Sequence, residues 1–315
     1  VNRTSRTRSL LAAASSVIAL ALVATGCSSA PAPSEAEPAA ASTSYTVTDA
    51  MGEVEFDAVP ERIVVLDSPA LDALVALGIT PVGAPEVRAG QGFPAYLADE
   101  LDGTETVGNI SEPDIDAIAN LAPDLIIGSK VRHEAIYDEL SAIAPTVFAK
   151  DSGTNWTEQA ELTAAAVDQS AEMDGLLAQV SERAAEVGEA VKATGKTASI
   201  VRFRTDNFRL YGPGTFSGSI LADMGFDLGE RDWNEYSMME LSPELYEQID
   251  GDIVFYTTPG GDPSATSYAT ISTLWGGLPG VASGNAFGVD DDTWMVGIGV
   301  IGANLILDDI EDQLS

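Results

Sequence analysis

The sequence predicts an α/β fold: two α/β lobes joined by one long rigid helix, with a ligand cleft between the lobes. Three observations carry this. Short apolar runs alternate with helical patterns as far as Ala149, a proline-free stretch of helical periodicity follows, and the alternation then resumes. Strand–helix alternation implies parallel βαβ units, and two lobes on a stiff connector leave a cleft where ligands sit. The expected boundaries are residues 45–155 for the first lobe, 156–194 for the linking helix and 195–315 for the second lobe.

The elements follow in order. RIVVLD from Arg62 reads as a buried strand, and residues 68–77 as a helix stopped by Gly78. TPVGA from Thr80 is the next strand. Residues 115–121 form a helix that exits at Pro123, DLIIGS from Asp124 a strand, residues 134–143 a helix, and TVFA from Thr146 a strand. Residues 156–194 hold only two isolated glycines, Gly175 and Gly188, while Leu162, Val167, Leu176, Val180, Ala184, Val187 and Val191 recur at helical spacing. That pattern gives one long helix or two nearly collinear ones. TASIVRFR from Thr197 restarts the alternation, Arg209 and Tyr211 begin a hairpin partner after the turn-like Thr205-Asp206-Asn207, and DIVFYTT from Asp252 is a further strand. Helices are expected over residues 216–224, 241–248 and 301–314.

The single cysteine orders the start of the sequence. Arg3, Arg6 and Arg8 precede an apolar run over residues 10–24 and then Thr25-Gly26-Cys27. A basic segment, a short apolar segment and small residues at the cut describe an export signal, too short for a comfortable permanent span. The pattern fits the lipobox of bacterial lipoproteins, with Ala24 where Leu is usual. Residues 1–26 are therefore expected to be a signal peptide, Cys27 to carry lipid, and residues 27–44, rich in Pro, Ala, Ser and Glu, to be a flexible tether. The protein would sit on the outer face of the cell membrane, held by the Cys27 lipid.

The chain sets 15 basic residues against 49 acidic ones, a net charge of −34, and removing residues 1–26 takes away three arginines and no acid. Such a surface repels nucleic acid and anionic headgroups. One histidine, His133, excludes a histidine-rich metal site. The few cations are informatively placed. Lys130 and Arg132 follow the strand that begins at Asp124, and Arg202 and Arg204, two apart, share one face of a strand. Both pairs lie near carboxyl ends of strands, where α/β sheets present their sites, and guanidinium groups suit oxygen-rich anions; the alternative for any one of them is pairing with one of the many surface carboxylates, which is less expected for Arg202 and Arg204 together. Trp233, Tyr236 and Trp294 lie in loop-rich segments with polar neighbours, where aromatic faces can wall a cleft; Trp294 reads as a cleft wall, Trp233 equally as cleft wall or core cap, and Tyr211 either lines the cleft or packs, whereas Trp275 reads as core. Asp290, Asp291 and Asp292 read as a solvated acidic loop.

Other motifs lead nowhere. Gly297, Gly299 and Gly302 match the dinucleotide spacing, but no second strand or ribose-binding acid follows. They read as a glycine-rich entry to the last helix. Around Ser217 the nucleophile-elbow spacing is missed, and His133 lies upstream. Nothing demands catalysis.

Four stretches carry a resemblance: RIVVLDSPALDALVALGITPVGA from Arg62, PDIDAIANLAPDLIIGSKVRHEAIYDELSAIAPTVF from Pro113, VRFRTDNFRLYGPGTFSGSILADMGFD from Val201, and LPGVASGNAFGVDDDTWMVG from Leu278. In this order around a helical segment, the chain resembles the helical-backbone substrate-binding proteins of bacterial iron–siderophore ABC importers. The resemblance implies a non-enzymatic protein that captures a ferric siderophore and delivers it to a permease. Iron would arrive held by the siderophore, with no cofactor and no protein metal site. It implies that Arg204 is the pocket arginine, with Arg202 facing the same way, and that Trp294 is the pocket tryptophan. Lys130, Arg132 and Arg88 would be further cleft contacts. Asp116, where Glu is more usual, and Glu244 would dock on the permease. The expected ligand is a hydroxamate or citrate–hydroxamate complex, the protein is expected to be a monomer, and the stiff linker implies small lobe movements. The alternatives are cobalamin or haem on the same scaffold, with Tyr236 or His133 as axial ligand, a lipid-anchored hydrolase, or a purely structural surface module.

Overall fold

A strand hairpin opens the described part of the molecule, which in this computed structural model is residues 44–315. The expected export signal, Cys27 and the tether as far as residue 43 lie outside the described residues. Strand β1 (Tyr45–Thr48) pairs antiparallel with β2 (Glu53–Phe56). Asp49 tightens the turn by accepting from the N–H groups of Met51 and Gly52 at 2.7 and 2.8 Å.

The first lobe follows as β3 (Ile63–Val65), α1 (Ser68–Ala76), β4 (Gly83–Glu86), β5 (Glu105–Asn109), β6 (Glu112–Pro113), α2 (Ile115–Asn120), β7 (Leu125–Ser129), α3 (Lys130–His133), α4 (Tyr137–Ser141) and β8 (Thr146–Ala149). Its six strands run in the order β6-β5-β4-β3-β7-β8, parallel except for the edge pair β5–β6. Ile63, Val65, Leu125 and Ile127 join the cluster on the α1 side, while Val64 and Ile126 join the cluster on the other face. Burial on both faces is why these strands read as continuous apolar runs. Caps start the helices: the Asp67 carboxylate accepts from Ser68 N–H at α1, and Asp114 from Ala117 N–H at α2.

The linking segment is two helices rather than one, α5 (Trp156–Ala166) and α6 (Ser170–Ala190). Of the two readings of residues 156–194, one helix or two, the second is observed, and the single rigid helix is corrected by a break at Asp168, whose φ is 54°. Aspartate tolerates the left-handed region better than most residues, and the chain resumes with Gln169 N–H donating to Ala164 O at 2.8 Å. Helix α5 packs on α1 and carries the hairpin, whose Tyr45 hydroxyl donates to Ala166 O at 2.9 Å.

The second lobe comprises β9 (Ala198–Phe203), β10 (Phe208–Tyr211), α7 (Phe216–Asp223), β11 (Met238–Leu241), β12 (Ile253–Thr257), α8 (Tyr268–Ile271), α9 (Pro279–Ala282), β13 (Ala286–Gly288) and α10 (Val300–Leu314). Its sheet has five strands in the order β11-β10-β9-β12-β13, with β9, β12 and β13 parallel and β10 antiparallel to both neighbours. Helix α6 packs on α10 and α7. Expected helices are shortened in two places. Residues 134–143 divide into a 3₁₀ turn and α4, and residues 241–248 are the end of β11 followed by the 3₁₀ turn Pro243–Gln248.

A buried carboxylate ties the lobes together. Asp72 of α1 is fully buried and accepts from Ile301 and Gly302 N–H, at 2.9 and 3.0 Å, at the N-terminus of α10. The Tyr96 hydroxyl donates to it at 3.1 Å. Helix N-termini favour negative charge, yet burial wins and pushes the Asp72 pKa up to about 6. A Cβ on Gly299 would overlap this carboxylate, which is what the glycine-rich entry to α10 accommodates.

Candidate ligand-binding cleft

A cavity of about 200 Å³ opens between the lobes. From the first lobe, α3 contributes Val131 and Arg132, placed at the carboxyl end of β7. From the second, Tyr211 ends β10, Met238 begins β11 beside it, and Trp294 rises from a single π-helical turn, Asp292–Val296. Val131 and Tyr236, 51% and 40% exposed, are apolar surfaces left open to solvent on opposite lobes. The sequence-based placements of Arg132, Tyr211, Tyr236 and Trp294 thus meet in one cavity.

Trp294 serves this cavity as floor. It is 1% exposed, its ring lies 4.9 Å from Phe255, and its indole N–H donates to Asp309 at 2.8 Å. Its polar atom is already committed to Asp309. Arg132 donates through Nε to the Ser152 hydroxyl at 3.0 Å, and the same nitrogen pairs with the buried Asp67 carboxylate at 3.1 Å. Asp67 also accepts from the Ser129 hydroxyl at 2.7 Å. The guanidinium is therefore aimed by buried partners while its side chain stays 39% exposed.

A second cavity, about 560 Å³, lies on the other side of the π-helical turn and is walled by Arg88, Tyr256, Thr258 and the acids Asp290, Asp291 and Asp292. The reading of Asp290, Asp291 and Asp292 as a solvated loop holds for the exposed Asp290 but is corrected at Asp291, whose side chain is only 4% exposed. It accepts from Arg202 at 2.7 and 2.6 Å and from Arg88 at 3.0 Å, and Asp292 takes a second contact from Arg88 at 3.4 Å. One carboxylate thereby joins an arginine of each lobe. Burial works against the charged form of Arg202, but its bonds to Asp291, with Tyr211 nearby, outweigh that and hold its pKa above the ordinary value. Arg202 is a structural cation and lines neither cavity.

The remaining basic candidates are also paired. Arg209 stands opposite Arg202 on one side and opposite Glu240 on the other. It donates to Glu240 at 2.9 Å, and Arg204 reaches the same oxygen at 3.4 Å. Arg204 lies outside the walls of both cavities, further along the sheet face that Tyr211 and Met238 share with Arg209 and Glu240. Lys130 faces Glu134 at 3.6 Å and the Ala50 carbonyl at 3.4 Å, away from either cavity. Trp233 is corrected from cleft wall to packing residue: it joins the cluster around β10 and carries the Arg231 guanidinium 5.8 Å from its ring.

His133 is buried, accepts Ser129 N–H at Nδ1 and lies 3.0 Å from the Ile110 carbonyl at Nε2. With Nδ1 accepting, Nε2 carries the proton. Burial lowers its pKa, so the ring is neutral, and both nitrogens are used. This removes His133 as an axial haem ligand and as a general base for Ser217. Asp116 is exposed in the first turn of α2 and Glu244 is exposed in the 3₁₀ turn after β11, one on each lobe.

Sequence reasoning missed Asp291, Glu240 and Asp67, the acids that organise these arginines. It also missed Met238, Met295 and Phe216, which make the first cavity apolar.

The comparisons with known proteins agree with this geometry. Residues 63–293 match the family described as periplasmic binding protein. The chain is 39% identical to the probable siderophore-binding lipoprotein YfiY of Bacillus subtilis, over 86% of this chain and 87% of that protein. It is 30% identical to the Fe(3+)-citrate-binding protein YfmC of the same organism, over 90% of both. The crystal structure of Staphylococcus aureus SirA complexed with staphyloferrin B superposes with a TM-score of 0.76 at 29% identity, covering 86% of this chain and 98% of SirA. These relatives are binding proteins rather than enzymes. The matched span runs from β3 in the first sheet to the π-helical turn in the second, and it makes this chain a member of the periplasmic binding protein family.

Proposed function

We propose that the protein captures a ferric siderophore in the cleft between its lobes and delivers it to the permease of an ABC importer. The observation that carries this is the first cavity, where Arg132, Tyr211 and Tyr236 face an apolar floor of Trp294, Met295 and Ile298. Such a wall suits an iron chelate, whose rim is apolar and whose metal is already saturated by its own oxygen ligands. The iron is cargo, and no protein side chain needs to coordinate it.

The cleft cations are all matched by the protein's own acids, which favours a chelate of low charge carrying hydroxamate or carboxylate groups over a tris-catecholate. Relatives named for Fe(3+)-citrate and Fe(3+) dicitrate binding support the carboxylate component. Asp116 and Glu244, exposed on opposite lobes, are the proposed permease contacts, and a lipid on Cys27 would hold the monomer at the outer face of the membrane.

Trp294 supplies the test. Tryptophan fluorescence is titrated with a ferric trihydroxamate, ferric citrate, a ferric citrate–hydroxamate, a ferric tris-catecholate and haem, each beside its iron-free form. Saturable quenching by a ferric hydroxamate or carboxylate chelate, with a matching rise in melting temperature by mass action, is the expected result. Flat titrations throughout, with no thermal shift, would overturn the proposal.

A further inference from the structure

The cleft holds two kinds of arginine pair, and their burial separates them. Asp291 uses both oxygens, is almost wholly buried and bonds a guanidinium from each lobe. Removing one partner of such a pair strands a buried charge, so this pair is permanent. Glu240 is different. Its side chain is 51% exposed, and one oxygen, Oε2, takes every contact: Arg209 Nε at 2.9 Å, Arg209 Nη2 at 2.8 Å and Arg204 Nη1 at 3.4 Å. Arg204 and Arg209 are themselves 42% and 29% exposed. Exposed pairs are cheaply broken.

Position makes this consequential. Glu240 and Met238 alternate on one face of β11, as Arg209 and Tyr211 do on β10, and the two strands pair Arg209 with Glu240 and Tyr211 with Met238. Met238 and Tyr211 wall the first cavity. The Arg204–Glu240–Arg209 group therefore lies next to the cavity on the same sheet face, just outside its lining. Two neighbouring guanidiniums are also donors that a ligand carboxylate can take up through charge-assisted hydrogen bonds.

We propose that Glu240 is an internal counter-ion that occupies Arg204 and Arg209 in the empty protein and is displaced by a carboxylate of the bound chelate, so that Glu240 tunes the affinity of the cleft for anionic cargo. This rests on the ferric-siderophore reading of the same site. Glu240 restrains anion binding in two ways: it competes for the guanidiniums, and its own charge repels the incoming group. A neutral chelate feels neither effect.

The test compares the full chain with Glu240→Gln and Glu240→Ala, using ferric citrate as the anionic probe and an uncharged ferric trihydroxamate as the neutral one. Ferric citrate is expected to bind about fivefold to tenfold more tightly to both variants, tenfold being about 1.4 kcal/mol. The trihydroxamate should change by less than about twofold, and raising the salt concentration should shrink the citrate gain, because the pair is exposed. If the wild type binds ferric citrate and the variants bind it equally or more weakly, the counter-ion proposal falls while the siderophore reading stands. If all three proteins bind only the uncharged chelate, the proposal falls in the same way. If none binds any ferric chelate, both fall. Binding of ferric citrate by the variants alone supports the proposal.

Discussion

Replacing Asp291 by asparagine keeps the shape of the side chain and removes its charge, which isolates the electrostatic part of the tie between the lobes. In the native protein this carboxylate, 4% exposed, accepts three N–H groups from Arg202 and Arg88. The amide accepts through one oxygen only, and its NH₂ group points a donor at a guanidinium that has no acceptor to offer. Arg202, with its side chain 18% exposed, is left as a buried charge without its counter-ion. Losing one partner of a buried pair costs about 3–5 kcal/mol, and the 30% exposure of Arg88 argues for the lower end, about 3 kcal/mol. For a protein of this size that is a fall in melting temperature of about 6–12 °C. Thermal unfolding followed by circular dichroism measures it, and repetition at high salt should change it little, since buried pairs are weakly screened. A double-mutant cycle with Arg88→Ala should return a coupling of about 1 kcal/mol across the lobes. A loss below about 2 °C, or one abolished by salt, would refute the view that Asp291 is a permanent, buried counter-ion.

Three further outcomes are expected. Asp72 has a pKa raised by burial from 3.8 to about 6, so its stabilising contribution is full below pH about 4 and is lost as pH rises through about 6. Asp72→Asn, which does not titrate, should therefore gain stability relative to wild type between pH 4 and pH 7, by up to about 3 kcal/mol, and a relative loss over that range would refute the assignment. Trp294→Phe keeps the contact with Phe255 but drops the hydrogen bond to Asp309; urea unfolding should show a loss of about 1–2 kcal/mol, together with loss of most ligand-induced quenching. Gly188→Ala drives a Cβ into the Met224 carbonyl where α6 crosses the end of α7, and it should cost about 1–3 kcal/mol of stability by overpacking with little change in ligand affinity.

The elements legible in the sequence are those whose signal is local. β3, β7, β9 and β12 are buried along their length and read as apolar runs, and the periodicity of residues 156–194 announces helix without ambiguity. The break at Asp168 was not legible, because it depends on one non-glycine residue accepting a positive φ. Nor was the first hairpin, whose β2 strand EVEF has three of four residues unburied and a weak alternation. The site divides along the same line. Arg132, Tyr211, Tyr236 and Trp294 carry their chemistry in their residue type, and strand ends place them. Their counter-ions come from afar: Asp291 lies 89 residues from Arg202, and Glu240 lies 31 from Arg209. With 49 acids in the chain, no pattern of charge alone could say which one each arginine takes.

The distribution of these pairs bears on how a ligand can be accommodated. Several ties cross between the lobes, among them Asp72 on the N-terminus of α10, the packing of α1 against α10, Arg88 on Asp291 and Asp292, and the backbone bridge between Thr154 and Thr215. Two of them bury a carboxylate almost completely, and opening the lobes would expose each of those carboxylates or strip it of its donors. A frame tied in this way resists wide hinge motion, so the cleft adapts mainly by local exchange. The groups free to exchange are the exposed ones, Tyr236 and Val131 at the cavity and the Arg204–Glu240–Arg209 group beside it on the sheet face. Selectivity is then a matter of which counter-ions yield. Asp291 fixes the resting charge of the cleft, and Glu240 sets how much anionic character the cargo must bring to displace it.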